Sequence, residues 1–298
     1  KFLDMGMVPS QSIISLIEQL ANDKAQEVRA ALLWRLSYTG YKSKELGWQI
    51  FNIIFRKKQK HLWHLGEKFL YNQYYQNFEM VKPYLDRIKN EAINEAGATW
   101  GRLSALCMIQ GHIDQQEFFE ELKEIDKKDV WDGALSVFIA NLEKNQDGVC
   151  QQSFREFITI NNVQKEFGHK VDGAFRLDEK GKYIDAKTGE LFIKYLNLDD
   201  DKIHQMYSFI DWIEYQATIN PMIALELCEN LLSRLQSLKS KPNLWHSKPL
   251  ISTLTKILRE ADEMDDIELI NRAVSLQDQF LLMGINGIDE YFEEAAML

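Results

Sequence analysis

Apolar side chains recur at helical spacing through almost the whole chain, and few residues interrupt this pattern. Only five prolines and fifteen glycines occur in 298 residues, so helix-breaking residues are scarce. Between them, apolar residues repeatedly occupy positions i, i+3 or i+4, and i+7, which lie on one face of a helix. Four such stripes are Val81, Leu85 and Ile88; Trp100, Leu103 and Cys107; Phe118, Leu122 and Ile125; and Trp131, Leu135, Phe138 and Leu142. The sequence therefore predicts an all-α fold.

The predicted helices are paired and evenly spaced. Asp114 followed by Glu117 has the D-x-x-E pattern of a helix start, and Asn220 before Pro221 places a cap residue ahead of a first-turn proline. Segments that open near Phe78, Asp114 and Val149 recur at about 35 residues, and each is followed by a second helix. One helix pair per repeat indicates an α-α solenoid.

One N-terminal segment suggests which kind of solenoid this is. The stretch from Asp23 to Leu32, with Val28-Arg29 at its centre, resembles the second-helix signature of HEAT repeats. On this hypothesis Leu32 packs in a repeat interface. The alternative is a generic amphipathic helix that Asp23 caps and on which Arg29 is solvated.

The stretch from His169 to Asp201 departs from the helical pattern. It has turn residues at Lys180-Gly181 and at Thr188-Gly189, and alternating apolar residues follow. We therefore predict a β-hairpin or short β-meander inserted between two helical blocks. The domain prediction is HEAT-like helical repeats over 1–165, the insertion over 166–201, and C-terminal helical repeats over 202–298. The C-terminal helices are expected at Tyr207 to Ile219, Pro221 to Leu238, Leu250 to Ala261, Ile267 to Met283, and from Ile288 onward.

Composition and cysteine usage restrict the classes of function. The formal charge of −10 disfavours nonspecific binding to nucleic acid or to anionic lipid. Cys107, Cys150 and Cys228 are widely spaced, without a C-x-x-C pair, so we expect reduced core thiols and a cytoplasmic protein. No apolar run approaches the roughly 20 residues of a membrane span, and no signal peptide is visible. Because the sequence begins with Lys1 rather than Met, we expect a fragment of a longer protein.

No catalytic centre is recognisable in the sequence. The phosphate-binding patterns G-x-x-x-x-G-K-[ST] and G-x-G-x-x-G are both missing, so we predict a non-catalytic chain without a cofactor. His61 and His64 form an H-x-x-H pair that could supply two metal ligands, but no third ligand lies nearby in the sequence. A basic, aromatic surface is the preferred interpretation, and no metal site is predicted.

Two groups of residues are candidate binding sites. The first is basic and aromatic, and consists of Arg56, Lys57, Lys58, Lys60, Trp63 and His64. It could neutralise phosphates and stack on bases, or it could be a solvated turn between helices. The second lies in the predicted insertion, and consists of Arg176, Lys182, Tyr183 and Phe192. Insertions on one face of repeat proteins often bind partners, although Leu191, Ile193 and Tyr195 could instead pack the hairpin onto helices as a cap.

Several segments resemble one family of bacterial proteins. They are Leu250 to Asp266, Leu276 to Phe280, Gly287 to Tyr291, Glu45 to Ile50, Thr99 to Leu106, Trp131 to Ala134, and Asn220 to Leu225. They are similar to the C-terminal region of large P-loop NTPases of the STAND type, which act in antiviral defence. The resemblance implies a helical-repeat arm that senses a phage protein, with the nucleotide-binding domain upstream in the same polypeptide. The rival hypotheses are a HEAT-like protein that binds or processes nucleic acid, and a generic protein scaffold.

Overall fold

Helices account for most of the residues that a computed structural model of the chain describes. The structure describes residues 10–39, 44–56, 59–144, 148–160, 163–195, 206–237 and 248–283. Within these ranges there are 15 α-helices, a few short 3₁₀ turns and no strand. The all-α prediction is confirmed. No helix in these ranges is both long and apolar enough to span a membrane.

The chain divides into two compact units, Lys1–Phe138 and Ile139–Leu298. The first contains α1 (Gln11–Ala21), α2 (Gln26–Thr39), α3 (Lys44–Phe55), α4 (Trp63–Tyr71), α5 (Phe78–Glu91), α6 (Ile93–Ile109), α7 (Gln115–Ile125) and α8 (Lys128–Asn141), which continues past the boundary. The second contains α9 (Val149–Thr159), α10 (Val163–Gly173), α11 (Ala186–Tyr195), α12 (Tyr207–Ile219), α13 (Pro221–Gln236), α14 (Lys248–Glu263) and α15 (Ile267–Leu282). The boundaries expected at residues 165 and 201 remain a prediction.

Within each unit, several helices contact the helix that lies two places further along the chain. In the second unit α9, α11, α13 and α15 contact one another in order, and so do α10, α12 and α14. Pairs such as α12 with α13, and α14 with α15, connect these two rows. In the first unit the same relation joins α1 to α3, α2 to α4 and α4 to α6. This order of contacts is typical of stacked helix pairs, and is consistent with an α-solenoid-like fold in each unit.

Side-chain hydrogen bonds between successive pairs link residues about one repeat apart. Thr99 Oγ1 donates to Glu67 Oε2 at 2.7 Å, across 32 positions of sequence. Arg272 donates to Glu229 Oε2 at 2.8 Å, across 43 positions. Helices α5, α7 and α9 begin 37 and 34 positions apart. The repeat of about 35 residues predicted from the sequence is therefore confirmed for these helix pairs.

The predicted helix starts are confirmed by their capping bonds. Asp114 accepts hydrogen bonds from the backbone N–H of Gln116 and Glu117, at 2.8 and 3.1 Å. Asn220 Oδ1 accepts one from the N–H of Ile223 at 3.2 Å, with proline at the first helical position. These bonds satisfy N–H groups that have no partner within the helix. The helices predicted over Tyr207–Ile219, Pro221 to Leu238, Leu250 to Ala261 and Ile267 to Met283 are confirmed apart from small differences at their ends, and the one from Ile288 lies outside the described residues.

The N-terminal segment whose sequence resembles a HEAT repeat continues into α2. Leu33 and Leu36 are buried, whereas Leu32 is partly accessible to solvent. The packing of Leu32 in a repeat interface remains a prediction. Arg29 is not merely solvated, because it donates to Gln59 Oε1 at 3.1 Å and to the carbonyl oxygen of Lys24 at 3.2 Å.

The β-hairpin predicted within residues 166–201 is wrong. Its described part contains α10, a 3₁₀ turn at Gly181–Tyr183, and α11. Thr188-Gly189 was expected to be a turn but lies inside α11. Thr188, Gly189, Phe192 and Ile193 are all buried, at the spacing of one helix face. At Gly189 the missing side chain makes room for the Trp212 ring, which a Cβ atom would approach to 2.6 Å. The glycine thus serves helix packing rather than a turn.

Two glycines bring α6 and α8 into backbone contact. A Cβ atom at Gly101 would overlap the carbonyl oxygen of Val130, and one at Gly133 would overlap that of Ala98. Such close approach is possible only where neither helix carries a side chain at the crossing. These contacts determine the distance between α6 and α8.

Candidate functional site

The segment between α10 and α11, residues 174–185, is a folded loop that we call the α10–α11 loop. It has its own hydrogen bonds: the N–H of Gly181 donates to the carbonyl oxygen of Arg176 at 2.8 Å, and the N–H of Ile184 donates to that of Gly181 at 3.0 Å. Gly181 is buried, and a Cβ atom there would overlap the Phe175 carbonyl oxygen. The loop therefore requires glycine at this position.

Buried side chains from two helices hold the backbone of this loop. Trp212 of α12 donates its indole N–H to the carbonyl oxygen of Gly181 at 3.0 Å. Gln151 of α9 donates its amide N–H to the carbonyl oxygen of Tyr183. Both side chains are almost fully buried, where an unsatisfied donor would be costly. The loop backbone is consequently tied to the core on two sides.

The C-terminal end of the loop is fixed by Asp185. This carboxylate accepts the backbone N–H of Thr188 at 2.9 Å and the hydroxyl of Thr188 at 2.6 Å, and so caps α11. Arg155 of α9 donates to the other carboxylate oxygen at 3.1 Å. The hydroxyl of Thr188 also reaches Gln151 at 3.3 Å. These bonds join the cap, the loop and α9 in one network.

The outer surface of the loop carries charged and aromatic side chains. Arg176 pairs with Asp178 at 2.7 Å and with Glu179 at 3.0 Å. The guanidinium group of Arg176 lowers the pKa of Asp178 below its ordinary value. The ammonium groups of Lys182 and Lys180 lie 5.2 and 5.9 Å from the ring centroid of Tyr183, within cation–π range. The exposed fraction of Tyr183 is 36%.

Phe192, by contrast, is a core residue. It is fully buried, and its ring lies 5.1 Å from that of Phe175 and 4.6 Å from that of Phe209. Its predicted role in binding is therefore wrong, because no partner on the surface can reach it. The structure brings Arg176, Lys182 and Tyr183 together on one loop and places Phe192 beneath them in the same unit.

The N-terminal group of predicted site residues also contains both exposed and buried side chains. Arg56, Lys60 and His64 are exposed, and Lys60 forms a 3.6 Å ion pair with Glu95. Lys57 and Lys58 lie outside the described residues.

Trp63, the aromatic residue predicted to stack on a ligand, is buried. Its ring stacks on that of Phe55 with 4.0 Å between centroids. The prediction of Trp63 as a surface contact is wrong for the same reason as that of Phe192. In α4 the buried face contains Trp63, Gly66 and Leu70, which lie three and four positions apart. His64, the residue after Trp63, lies on the exposed side of the same helix.

The described residues contain no cluster suited to metal binding and no activated thiol. No group of three or more His, Cys, Asp or Glu side chains in the described ranges could hold a metal ion. Cys107, Cys150 and Cys228 are free and buried, as predicted. Burial raises their thiol pKa values to about 12, about 11 and about 12, so the nucleophilic thiolate is disfavoured.

One buried carboxylate was not predicted from the sequence. Asp172 of α10 accepts the backbone N–H groups of Ser208 and Phe209 at 3.2 and 2.9 Å, and so caps the start of α12 from another helix. Burial raises the pKa of Asp172, and these hydrogen bonds partly oppose the rise. Nothing in the local sequence distinguishes Asp172 from a surface aspartate, because its partners lie 36 and 37 positions away.

The sequence and the structure were compared with known proteins. No protein-family model, no curated protein and no solved structure matches the chain.

Proposed function

We propose that this chain is a protein-recognition module, the HEAT-like α-solenoid sensor arm of a larger bacterial P-loop NTPase of the STAND type that acts in antiviral defence. The module is itself non-catalytic, and the nucleotide-binding domain lies upstream in the same polypeptide. The ligand is a protein, and a phage protein in the setting that the sequence resemblance implies.

The observation that carries this proposal is the construction of the α10–α11 loop. Trp212 and Gln151 bind its backbone from the buried side, while Arg176, Lys182 and Tyr183 are exposed on the other. A loop that is already ordered loses little conformational entropy when a partner binds. Arginine and tyrosine are also enriched among the residues that dominate protein-protein binding energy.

The stacked helix pairs support the same function. A repeat stack buries its core between neighbouring pairs, so its outer surface can vary in sequence without loss of packing. Many of the polar side chains inside these units cap helices or join adjacent pairs, as Asp172 and Glu67 do, rather than converge on a reacting atom. This distribution favours a binding protein over an enzyme.

The proposal is tested in the complete protein, expressed in a bacterial host that is challenged with phage. A triple variant, Arg176→Glu, Lys182→Glu and Tyr183→Ala, should abolish protection while leaving circular dichroism and the melting temperature nearly unchanged. Lys187→Glu is the matched control, since this exposed lysine lies on α11 outside the loop. Full protection by a correctly folded triple variant would show that the loop does not sense the phage.

A further inference from the structure

Asp172 lies where α10, the α10–α11 loop and α12 meet. Its carboxylate accepts the backbone N–H groups of Ser208 and Phe209, in the first turn of α12, at 3.2 and 2.9 Å. Its own backbone carbonyl oxygen accepts the N–H of Phe175, the second residue of the loop, at 2.9 Å. This one residue is therefore bonded both to the start of the loop and to the start of α12.

Trp212, one helix turn after Ser208, connects α12 back to the loop. Its indole N–H donates to the carbonyl oxygen of Gly181 at 3.0 Å. The same carbonyl oxygen accepts the N–H of Ile184 at 3.0 Å, and the N–H of Gly181 donates to the carbonyl oxygen of Arg176 at 2.8 Å. The indole is thus bonded to the residue at which the internal hydrogen bonds of the loop meet.

Aromatic packing fixes the position of Trp212 relative to the loop. The ring of Phe175 lies 5.2 Å from that of Trp212 and 4.9 Å from that of Phe209. The rings of Phe209 and Trp212 are stacked, with 5.7 Å between their centroids. All three side chains are completely buried, and a buried indole N–H that lost its acceptor would be costly.

From these contacts we propose that Asp172 and Trp212 hold the α10–α11 loop in the conformation that the protein partner recognises. We call these two residues the α12 clamp. Asp172 positions the first turn of α12, and Trp212 holds Gly181 at a fixed place relative to that helix. Both residues are buried, so they are positioning residues that do not touch the partner. The inference rests on the proposed function in taking this loop to be the recognition element.

The loop can open at the clamp without unfolding of the unit. Gln151 of α9 still donates to the carbonyl oxygen of Tyr183 when the clamp is released. Asp185 still caps α11 through the backbone N–H of Thr188. Loss of the clamp should therefore increase local opening of the loop, which hydrogen exchange detects separately from global unfolding.

Hydrogen–deuterium exchange of the 298-residue chain, read by mass spectrometry of peptides that cover the loop, tests the clamp. Trp212→Phe removes the indole donor but keeps an aromatic ring, and Asp172→Ala removes the acceptor of the α12 N–H groups. Each variant should increase the exchange rate of the loop about tenfold. In the double variant the increase should be smaller than the product of the two single effects, because Asp172 acts through Trp212.

Leu276→Ala is the matched control for lost stability. Leu276 is buried on α15, which packs against α13 and α14. This variant should lower the melting temperature but leave the exchange rate of the loop unchanged. The inference is overturned by an equal increase in loop exchange in Leu276→Ala, by an unchanged rate in a folded Trp212→Phe variant, or by two single effects that multiply.

Phage protection by the complete protein separates this inference from the proposed function. Asp172→Ala should lower protection, because the open loop no longer presents its exposed side chains in one conformation. If the triple variant of the loop loses protection while Asp172→Ala retains it, the partner does not need the clamp and the inference is wrong. If neither variant loses protection, the proposed function is wrong, and the exchange rates alone decide whether the clamp holds the loop.

Discussion

Gly101 and Gly133 determine how closely α6 and α8 can approach. A methyl group at either position would overlap a backbone carbonyl oxygen of the opposite helix, which cannot move aside as a flexible side chain would. We expect Gly101→Ala and Gly133→Ala each to lower the free energy of unfolding by about 1 to 3 kcal/mol or more. Urea denaturation measures this change.

Gly173→Ala is the control for these two variants. Gly173 is the last residue of α10, and a Cβ atom there would meet nothing within 4 Å. Alanine should therefore be neutral or slightly stabilising at this position, because it reduces the conformational freedom of the unfolded chain. If all three alanine variants behaved alike, close backbone approach would not be the cause.

Leu33 and Leu32 are adjacent on α2 but differ in burial. Leu33 is completely buried, whereas Leu32 is partly accessible to solvent. Leu33→Ala should lower the free energy of unfolding by about 2 to 5 kcal/mol, through lost burial and a cavity. Leu32→Ala should lower it by less than half as much. Equal losses in urea denaturation would mean that the two side chains are equally buried in solution.

At the scale of helices, Asp172 links α10 to α12 and makes stability depend on pH. Its pKa is raised by burial above the ordinary value of 3.8, so the folded protein holds this proton more tightly than the unfolded chain does. The stability that Asp172 contributes is present below its unfolded pKa and is lost as pH rises through the folded value. The free energy of unfolding of the protein minus that of Asp172→Asn should therefore fall as the pH rises above the ordinary aspartate pKa of 3.8.

The contribution of His169 to the pKa of Asp172 must be distinguished from that of burial. His169 lowers the pKa of Asp172 through its charge. The comparison is therefore repeated with His169→Gln in both proteins. A difference that rises with pH in that background would indicate a lowered pKa for Asp172, contrary to its burial.

Helices were predictable from the sequence wherever the signal was local. The stripe of Val81, Leu85 and Ile88 and the caps at Asp114 and Asn220 depend on residues within a few positions of one another, and each is confirmed. These features follow from helix periodicity and from unpaired N–H groups at helix starts.

The α10–α11 region was mispredicted because its structure depends on distant residues. Gly181 lies in a turn, as predicted. Gly189 also looks like a turn residue, but it lies inside α11 and makes room for the Trp212 ring. Leu191, Ile193 and Tyr195 alternate in a ten-residue helix too short to establish its period by sequence alone. Arg176, Lys182 and Tyr183 were still recognised as surface residues, since charge and turn chemistry do not depend on the partner helix.

At the scale of the whole molecule, the absence of a phosphate-binding loop leads to a simple prediction. The sequence has neither of the two glycine-rich patterns that hold nucleotide phosphates. The purified chain should hydrolyse neither ATP nor GTP above background, because its sequence lacks the phosphate-binding loop and the lysine of that loop. Release of inorganic phosphate is measured before and after repurification. Turnover that persists and is lost on a point mutation in this chain would reveal an unrecognised site.

The hydrogen bonds between successive helix pairs have a consequence for the response of the chain to mechanical load. Thr99 with Glu67 and Arg272 with Glu229 each close a segment of only 32 to 43 positions. When the two termini are pulled apart, helix pairs should therefore separate from their neighbours one after another. No single set of hydrogen bonds that spans a whole unit has to break at once. In an optical trap the extension should increase in several small steps, each releasing about one helix pair, and the pairs should re-form separately when the force is lowered.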